Sequence, residues 1–271
     1  MATTISPSTY TPLRSVSLDR LLAKDPESIQ ELLQGAQSPG FFHVDLRGVA
    51  GKQIRADLAQ VYQVTKDYFD QPSQAKQEHF RADIDRGQVH NLYKPGHGYQ
   101  TFELAREELA SSQLACPGQL ATHKELLTRF TADCHDLALT LVRNLSDVLG
   151  LAGDAHLETS HSDTQSNDSG LKLIEIPTVE RMDEFPDTTH TDNGTLTLLW
   201  STEMASQICD PITGEWGWAE ERDGHVLVNV ANSLQKQTGG RLHSCLHKVA
   251  QPSDGAHERY MVSYYLRPSA R

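Results

Sequence analysis

No uninterrupted apolar run of roughly 18 residues occurs in this sequence, so no transmembrane helix is expected. The opening MATTISPSTYTPLRS has no apolar signal-peptide region and no glycine after Met1. Neither secretion nor myristoylation is expected, and a cytoplasmic location is. Cysteine is scarce: Cys116, Cys134, Cys209 and Cys245 stand apart without a CxxC pair. That argues against a zinc ribbon or a thioredoxin-like site, and leaves reduced, mostly buried thiols. Positive charge is in deficit, with 24 Lys and Arg against 36 Asp and Glu and a net charge of −12. Such a chain is a poor partner for nucleic acid or an anionic membrane. Internal repeats, long low-complexity tracts and a zinc-protease HExxH are also missing.

What is present is enough for a packed core: 271 residues, 38% of them apolar. Leu18–Leu33 reads as two short helices divided at Pro26, which suits the first turn of the second. SPGFFHVDLRG (38–48) reads as a turn and a short apolar strand. Ile54, Leu58, Val61, Tyr62 and Phe69 recur at helical spacing, and that helix stops before Pro72. Residues 71–118 read as loops and short strands. Leu127, Phe130, Cys134, Leu137, Leu141, Leu145 and Leu149 then mark a long helix ending near Gly150, and 160–170 reads as a flexible surface loop. From Leu171 the period changes to two. LKLIEI, TLTLLW, SQIC, WGWA, HVLVNV, LHSCLHKVA and RYMVSYYL are short, β-rich and separated by turns. The expectation is a single α+β domain over 1–271. Residues 1–160 are mainly helical, 171–271 form most of a jelly-roll, and the helices pack outside it.

The chemistry starts at TTHTDNGTLTLLW (188–200). Residues i and i+2 of an extended chain share a face about 6.5 Å apart, so His190 and Asp192 can converge on one small object. Read blandly, this is a polar strand end; read sharply, it is two ligands of a metal. A third ligand would come from a distant strand, and GGRLHSCLHKV (239–249) offers His243 and His247, on one face if the strand is unbroken. Two histidines and a carboxylate with open positions suit non-heme Fe(II) that activates O₂. In HERYMVSYYLRP (257–268), alternation puts Arg259, Met261, Ser263 and Tyr265 on one face. An arginine pointing into an apolar barrel is costly unless an anion meets it.

These motifs, in this order, resemble the 2-oxoglutarate- and Fe(II)-dependent oxygenases, in the branch of isopenicillin N synthase and the plant flavonoid and gibberellin dioxygenases. GFFHV (40–44) is similar to the family's GFF strand, DYFDQPSQAK (67–76) to its Phe–Pro–Lys turn, and GYQ (98–100) to its GY. HTD, GGRLHSCLHKV and the arginine of RYMVSYYLRP follow. The resemblance selects His247 over His243 and implies a double-stranded β-helix. It also implies an Fe(II) site of His190, Asp192 and His247, with Arg259 pairing the far carboxylate of 2-oxoglutarate, and O₂ as oxidant. The polar N-terminus and the GEWGWAEERDGHVLVNVANSLQ stretch resemble fungal members serving secondary metabolism. Two departures stand out: Met261 replaces the family's usual serine, and Ile176 stands where a tyrosine is common. Either change removes a hydroxyl donor to the co-substrate.

The implied activity is oxidation of a small organic molecule, by hydroxylation, desaturation or rearrangement. Candidate substrate contacts are Tyr93, His97, Tyr99, Phe102, Trp200 and Tyr265, though for any one of them core or lid packing is the commoner role. The alternatives are an Fe(II) oxidase that needs no 2-oxoglutarate, a zinc hydrolase, and a metal-free binding barrel.

Overall fold

The computed structural model describes residues 10–80, 99–111, 118–162, 167–176, 187–250, 256 and 258–269, and the backbone of 92–95. Its described strands are β1 (Arg14–Ser17), β2 (Phe41–Asp45), β3 (Leu92–Pro95), β4 (Gln100–Ala105), β5 (Gly170–Ile176), β6 (Leu196–Ser201), β7 (Ser206–Cys209), β8 (Trp216–Trp218), β9 (His225–Val230), β10 (His247–Val249) and β11 (Arg259–Leu266). The helices are α1 (Leu18–Leu22), α2 (Pro26–Gln37), α3 (Lys52–Phe69), α4 (Ser73–Gln77), α5 (Arg106–Ala110), α6 (Gly118–Ala121), α7 (Lys124–Val148) and α8 (Asn232–Gln237).

Local chemistry accounts for the helix ends. Asp25 caps α2 by accepting the Ser28 N–H at 2.9 Å, and Pro26 occupies the first turn, where its missing N–H is harmless. After α3, Pro72 turns the chain into α4. That brings the buried Lys76 back to donate to the Phe69 carbonyl at 2.7 Å, satisfying an end of α3. α7 stops at Gly150, whose φ of +68° is one glycine adopts freely.

Eight strands form one sheet in the order β1-β2-β9-β6-β11-β5-β4-β3, antiparallel except for the β1–β2 pair. A smaller antiparallel sheet runs β10-β7-β8. The chain after Gly170 does not complete the large sheet alone. β1 and β2 extend it beyond β9, and β3 and β4 beyond β5, covering edges that would otherwise be open. β1 and the short helix α8 carry no clear periodic signal, so the sequence does not announce them. Of the loop expected at 160–170, residues 160 and 161 close the 3-10 turn Leu157–His161, Gly170 opens β5, and 163–166 lie outside the described residues.

The two faces of the large sheet divide the labour. One carries Leu171, Leu173, Leu196, Leu198, Val262 and Tyr264 into the main core, where α2, α3 and α7 pack. The opposite face carries Phe41, Leu227 and Leu199 against Ile208, Ala219 and Cys245 on and beside the small sheet. The second cluster is small and lies between the two sheets. That is where the polar residues below converge.

Candidate metal centre

His190 and His247 meet as an isolated antiparallel bridge. The His190 N–H donates to the His247 carbonyl at 2.9 Å, and the His247 N–H to that of His190 at 3.0 Å. This differs from the sequence expectation in one respect. His190 and Asp192 do not share a strand; β6 begins only at Leu196, and the two converge through a bridge and a turn. The strand expected over 242–250 is likewise short. Only His247–Val249 is extended ladder, while His243 sits in coil with its N–H on the Ala36 carbonyl. The interruption separates the two histidines that an unbroken strand would have put on one face.

The helix α8 fixes the turn. Its first N–H groups, which have no partners within the helix, point at the loop: Asn232 donates to the Asp192 carbonyl at 2.7 Å and Ser233 to that of Gly194 at 3.0 Å. A Cβ on Gly194 would lie 2.7 Å from the Leu266 carbonyl, so the turn sits flush against the end of β11.

The side chains then converge. The donor atoms of His190, Asp192 and His247 all lie within 4.8 Å of one another, and no other such group of three occurs among the described residues. The nearer atom of Asp192, Oδ1, is 3.5 Å from His190 Nε2 and 3.9 Å from His247 Nε2. In both imidazoles Nδ1 faces a backbone carbonyl, Thr188 at 2.6 Å and Cys245 at 3.0 Å. A carbonyl only accepts, so Nδ1 carries the hydrogen and Nε2 presents its lone pair inward. The far oxygen of Asp192 is occupied in the same way. Thr197 Oγ1 donates to Oδ2 at 2.6 Å and Asn229 Nδ2 at 2.8 Å, leaving Oδ1 free to ligate. Phe41, from the GFF motif, meets the His247 ring edge-on at 5.2 Å.

Electrostatics favour the ligating forms of Asp192 and His247. Burial alone would raise the Asp192 carboxyl, but the His190 contact, the His247 charge, Thr197 and Asn229 hold it well below the usual range. Burial pushes His247 down, toward its neutral form. His190 is raised, chiefly by its contact with Asp192, so there a proton competes with a metal. The His190 side chain is 46% exposed while that of Asp192 is 10% exposed. The centre therefore opens on the His190 side, as a site needing room for co-substrates must.

The family model of the 2OG-Fe(II) oxygenase superfamily matches residues 167–268, which include all three of these side chains. The chain is 30% identical over 266 residues to the 2-oxoglutarate-dependent dioxygenase FG08081 of Gibberella zeae, across 95% of this chain and 80% of the relative. The chain belongs to the 2OG-Fe(II) oxygenase superfamily. Another relative, the dioxygenase gloE of Glarea lozoyensis, is 30% identical with the same coverage. Among solved structures, a full-length Neurospora crassa protein in complex with alpha-KG and 5-formyluracil superposes with a TM-score of 0.79. It is 20% identical, covering 97% of this chain and 86% of that one. AtDAO1 of Arabidopsis thaliana, a dioxygenase for auxin oxidation, gives 0.76 at 19% identity, covering 96% and 94%. The fold is thus the double-stranded β-helix of α+β oxygenases, and the protein is a 2-oxoglutarate-dependent dioxygenase working with Fe(II), 2-oxoglutarate and O₂.

The remaining candidates separate by sheet face. Arg259 opens β11 and is 1% exposed, with its Nε donating to the Met204 carbonyl at 3.2 Å. Its register partner is Ile176. Ile176 and Met261, the two departures, lie in one apolar cluster with Ile174 and Ala205, and Tyr99 packs against it. Tyr265 pairs with Thr197, the residue that holds Asp192, and is half-buried on that face. Phe102 and Trp200 are set apart from the centre. Both belong to the helix-side core, and Trp200 packs on Phe130 of α7 at 5.5 Å. Strand alternation turns them away, Trp200 toward α7 and Phe102 toward α3, where its ring meets Tyr68 at 4.9 Å. The Tyr93 side chain and His97 lie outside the described residues.

Sequence reasoning overlooks Thr197 and Asn229. Each is a single polar letter inside an apolar strand, in TLTLLW and HVLVNV, and that isolation is the signal that could find them.

Proposed function

We propose that His190, Asp192 and His247 hold the Fe(II), and that Arg259 anchors the far carboxylate of 2-oxoglutarate. The observation that carries this reading is the preparation of the donors: each Nδ1 and the outer Asp192 oxygen are committed to the protein, while two Nε2 atoms and Oδ1 are left to converge. Two imidazoles and a carboxylate suit Fe(II), and the partners behind them orient the ligands. Held there, Fe(II) would supply activation of O₂, with two electrons from oxidative decarboxylation of 2-oxoglutarate and two from the substrate. The protein's own residues do the positioning. Thr197 and Asn229 keep Asp192 ionised and aimed. Arg259, buried on β11, supplies a charge partner whose guanidinium suits a carboxylate. Tyr99 and Tyr265 stand on the faces that border the centre.

The substrate is a small organic molecule; the sequence's resemblance to fungal members points to secondary metabolism, and the relatives at 30% identity are dioxygenases of fungi. We take 1–271 as one oxygenase domain acting in the cytoplasm, without nucleic-acid or membrane partners. No described helix is long and apolar enough to cross a membrane, and the acidic balance suits neither partner.

The test is anaerobic Fe(II) titration with and without 2-oxoglutarate. A weak visible charge-transfer band that needs both components, and is lost in Asp192→Ala, is the expected result. A band unaffected by Asp192→Ala defeats the assignment. Oxygen uptake with substrate but no 2-oxoglutarate would show an oxidase instead.

A further inference from the structure

One charged pair lies on the centre-facing side of the large sheet, apart from His190, Asp192, His247 and Arg259. Lys172 of β5 and Glu103 of β4 are register partners, with Nζ 3.1 Å from Oε1. The Lys172 side chain is 23% exposed and that of Glu103 6%. On its other flank Lys172 pairs with Ser263 of β11, and its ammonium lies 5.3 Å from the centre of the Tyr265 ring. Tyr265 in turn is the register partner of Thr197, whose hydroxyl binds Asp192. Lys172 is also a charged neighbour of His190, as Asp192 is of Tyr265.

A lysine on a sheet surface ordinarily reaches for water. This one is enclosed, pinned by a carboxylate and an aromatic ring, and directed to the space beside the centre. As a stability device it has little to recommend it, because a buried ion pair seldom improves on apolar residues of the same size. The pair does something else well. Glu103 is nearly inaccessible and neutralises the site, while Lys172 is the member a ligand can reach. An ammonium has three N–H donors, and Glu103 Oε1 accounts for one. What remains is a rigidly held donor at a fixed offset from the metal ligands.

Taking the oxygenase reading as its basis, we propose that Lys172, positioned by Glu103 and Tyr265, is the substrate-orienting residue: it binds an acceptor oxygen of the substrate, a carboxylate or a carbonyl. Because the pair is neutral overall, the ligand need not be an anion. It must place a lone-pair oxygen at Lys172 when its oxidisable carbon is at the metal. This sets which C–H is attacked, since a molecule held at one fixed point turns only a few of its bonds toward the centre.

The experiment uses the full chain loaded anaerobically with Fe(II) and 2-oxoglutarate, and follows perturbation of the charge-transfer band by matched probe triples. Each triple is an arylacetic acid, its amide and the alkylarene of the same shape, for example phenylacetate, phenylacetamide and isobutylbenzene. In the wild type the oxygen-bearing members should bind more tightly than the alkylarene. Lys172→Met should weaken their binding about tenfold while leaving the alkylarene unchanged, and Lys172→Arg should retain most of the preference. Lys172→Met with Glu103→Gln avoids stranding a buried carboxylate, and should show the same selective loss if the single variant folds poorly. The acid and amide arms separate a carboxylate ligand from a neutral carbonyl. The proposal is overturned if the wild type shows no preference for oxygen-bearing probes, if the double variant keeps the preference, or if all three members of a triple weaken together. If the band does not form before any probe is added, the oxygenase reading itself fails, and this assignment with it.

Discussion

His190 and His247, 57 positions apart in sequence, bond to each other through both backbone N–H groups, and their ring centres lie 4.3 Å apart. The bridge locks their separation before any metal arrives. It explains why a coil segment, not a strand, can carry a ligand here. Two hydrogen bonds and two carbonyl-anchored rings do the work that a ladder would do.

The bridge makes the choice of histidine testable. Asp192→Ala and His247→Ala should each abolish Fe(II) binding and turnover, while His243→Ala should keep most of both. Anaerobic equilibrium dialysis with Fe(II) measures the binding directly. A His243→Ala protein that binds no iron, beside a His247→Ala protein that does, would reverse the assignment.

Asn229 and Thr197 touch no metal in this scheme, yet both bond to Asp192 Oδ2. Asn229→Leu should lower metal affinity by roughly 10- to 100-fold, the usual loss when a ligand's supporting partner is removed. The fold should survive, since a leucine there faces Phe41 across the β2–β9 ladder. Dialysis beside a thermal melt distinguishes a ligand-orienting role from a structural one.

Arg259 and Met261 call for opposite changes. Arg259→Gln should raise the 2-oxoglutarate requirement steeply, because it removes a charge partner from a buried site. Met261→Ser restores a hydroxyl two residues from Arg259. It should lower that requirement, while costing about 2 kcal/mol or more of stability because Met261 is packed among Ile174, Ile176 and Ala205. Succinate formation against 2-oxoglutarate concentration, with a urea titration for each variant, reads both effects. An unchanged requirement in Arg259→Gln would place the anchor elsewhere.

Gly40, the first residue of the GFF motif, has φ of +90°, and a Cβ there would lie 2.0 Å from the His243 carbonyl oxygen. Gly40→Ala should destabilise the fold by at least roughly 1–2 kcal/mol from φ alone. It should also displace the 243–247 segment and so weaken metal binding. Ala at this position with wild-type stability and iron affinity would show that the segment yields freely.

His43 predicts a pH effect. Its two ring nitrogens are buried with no hydrogen-bond partner among the described residues. Burial, then the Arg222 and His225 charges, push its pKa down to about 3. The folded protein therefore keeps His43 neutral, while the unfolded chain titrates near 6.5. Below about pH 6.5 the unfolded state binds a proton that the folded state refuses. Stability should fall with pH by up to about 1.4 kcal/mol per unit until about pH 3. His43→Leu should remove that share of the slope. Urea midpoints at neutral and mildly acidic pH compare the two proteins, and equal slopes would mean that His43 is protonated in the folded state.

Read alone, the sequence settles what is local. Pro26, the Leu127–Leu149 stripe and the change of period at Leu171 specify elements, because backbone preference and side-chain spacing act over a few residues. The order of GFF, HTD, GGRLHSCLHKV and RYMVSYYLRP identifies the family and the kinds of ligand. It does not separate His243 from His247 by chemistry, and it overlooks Thr197, Asn229 and the Lys172–Glu103 pair. It also leaves Phe102 and Trp200 open as substrate contacts or core packing, and the structure packs them against Tyr68 of α3 and Phe130 of α7. Those outcomes depend on which strands become neighbours and in what register. β4 beside β5, β9 beside β6, and the bridge from His190 to His247 join residues as far apart in sequence as Gln100 and Glu175. No short stretch of sequence carries that information. It arises when the whole core closes, because a shift of one residue in any ladder would exchange the metal-facing side chains for the helix-facing ones.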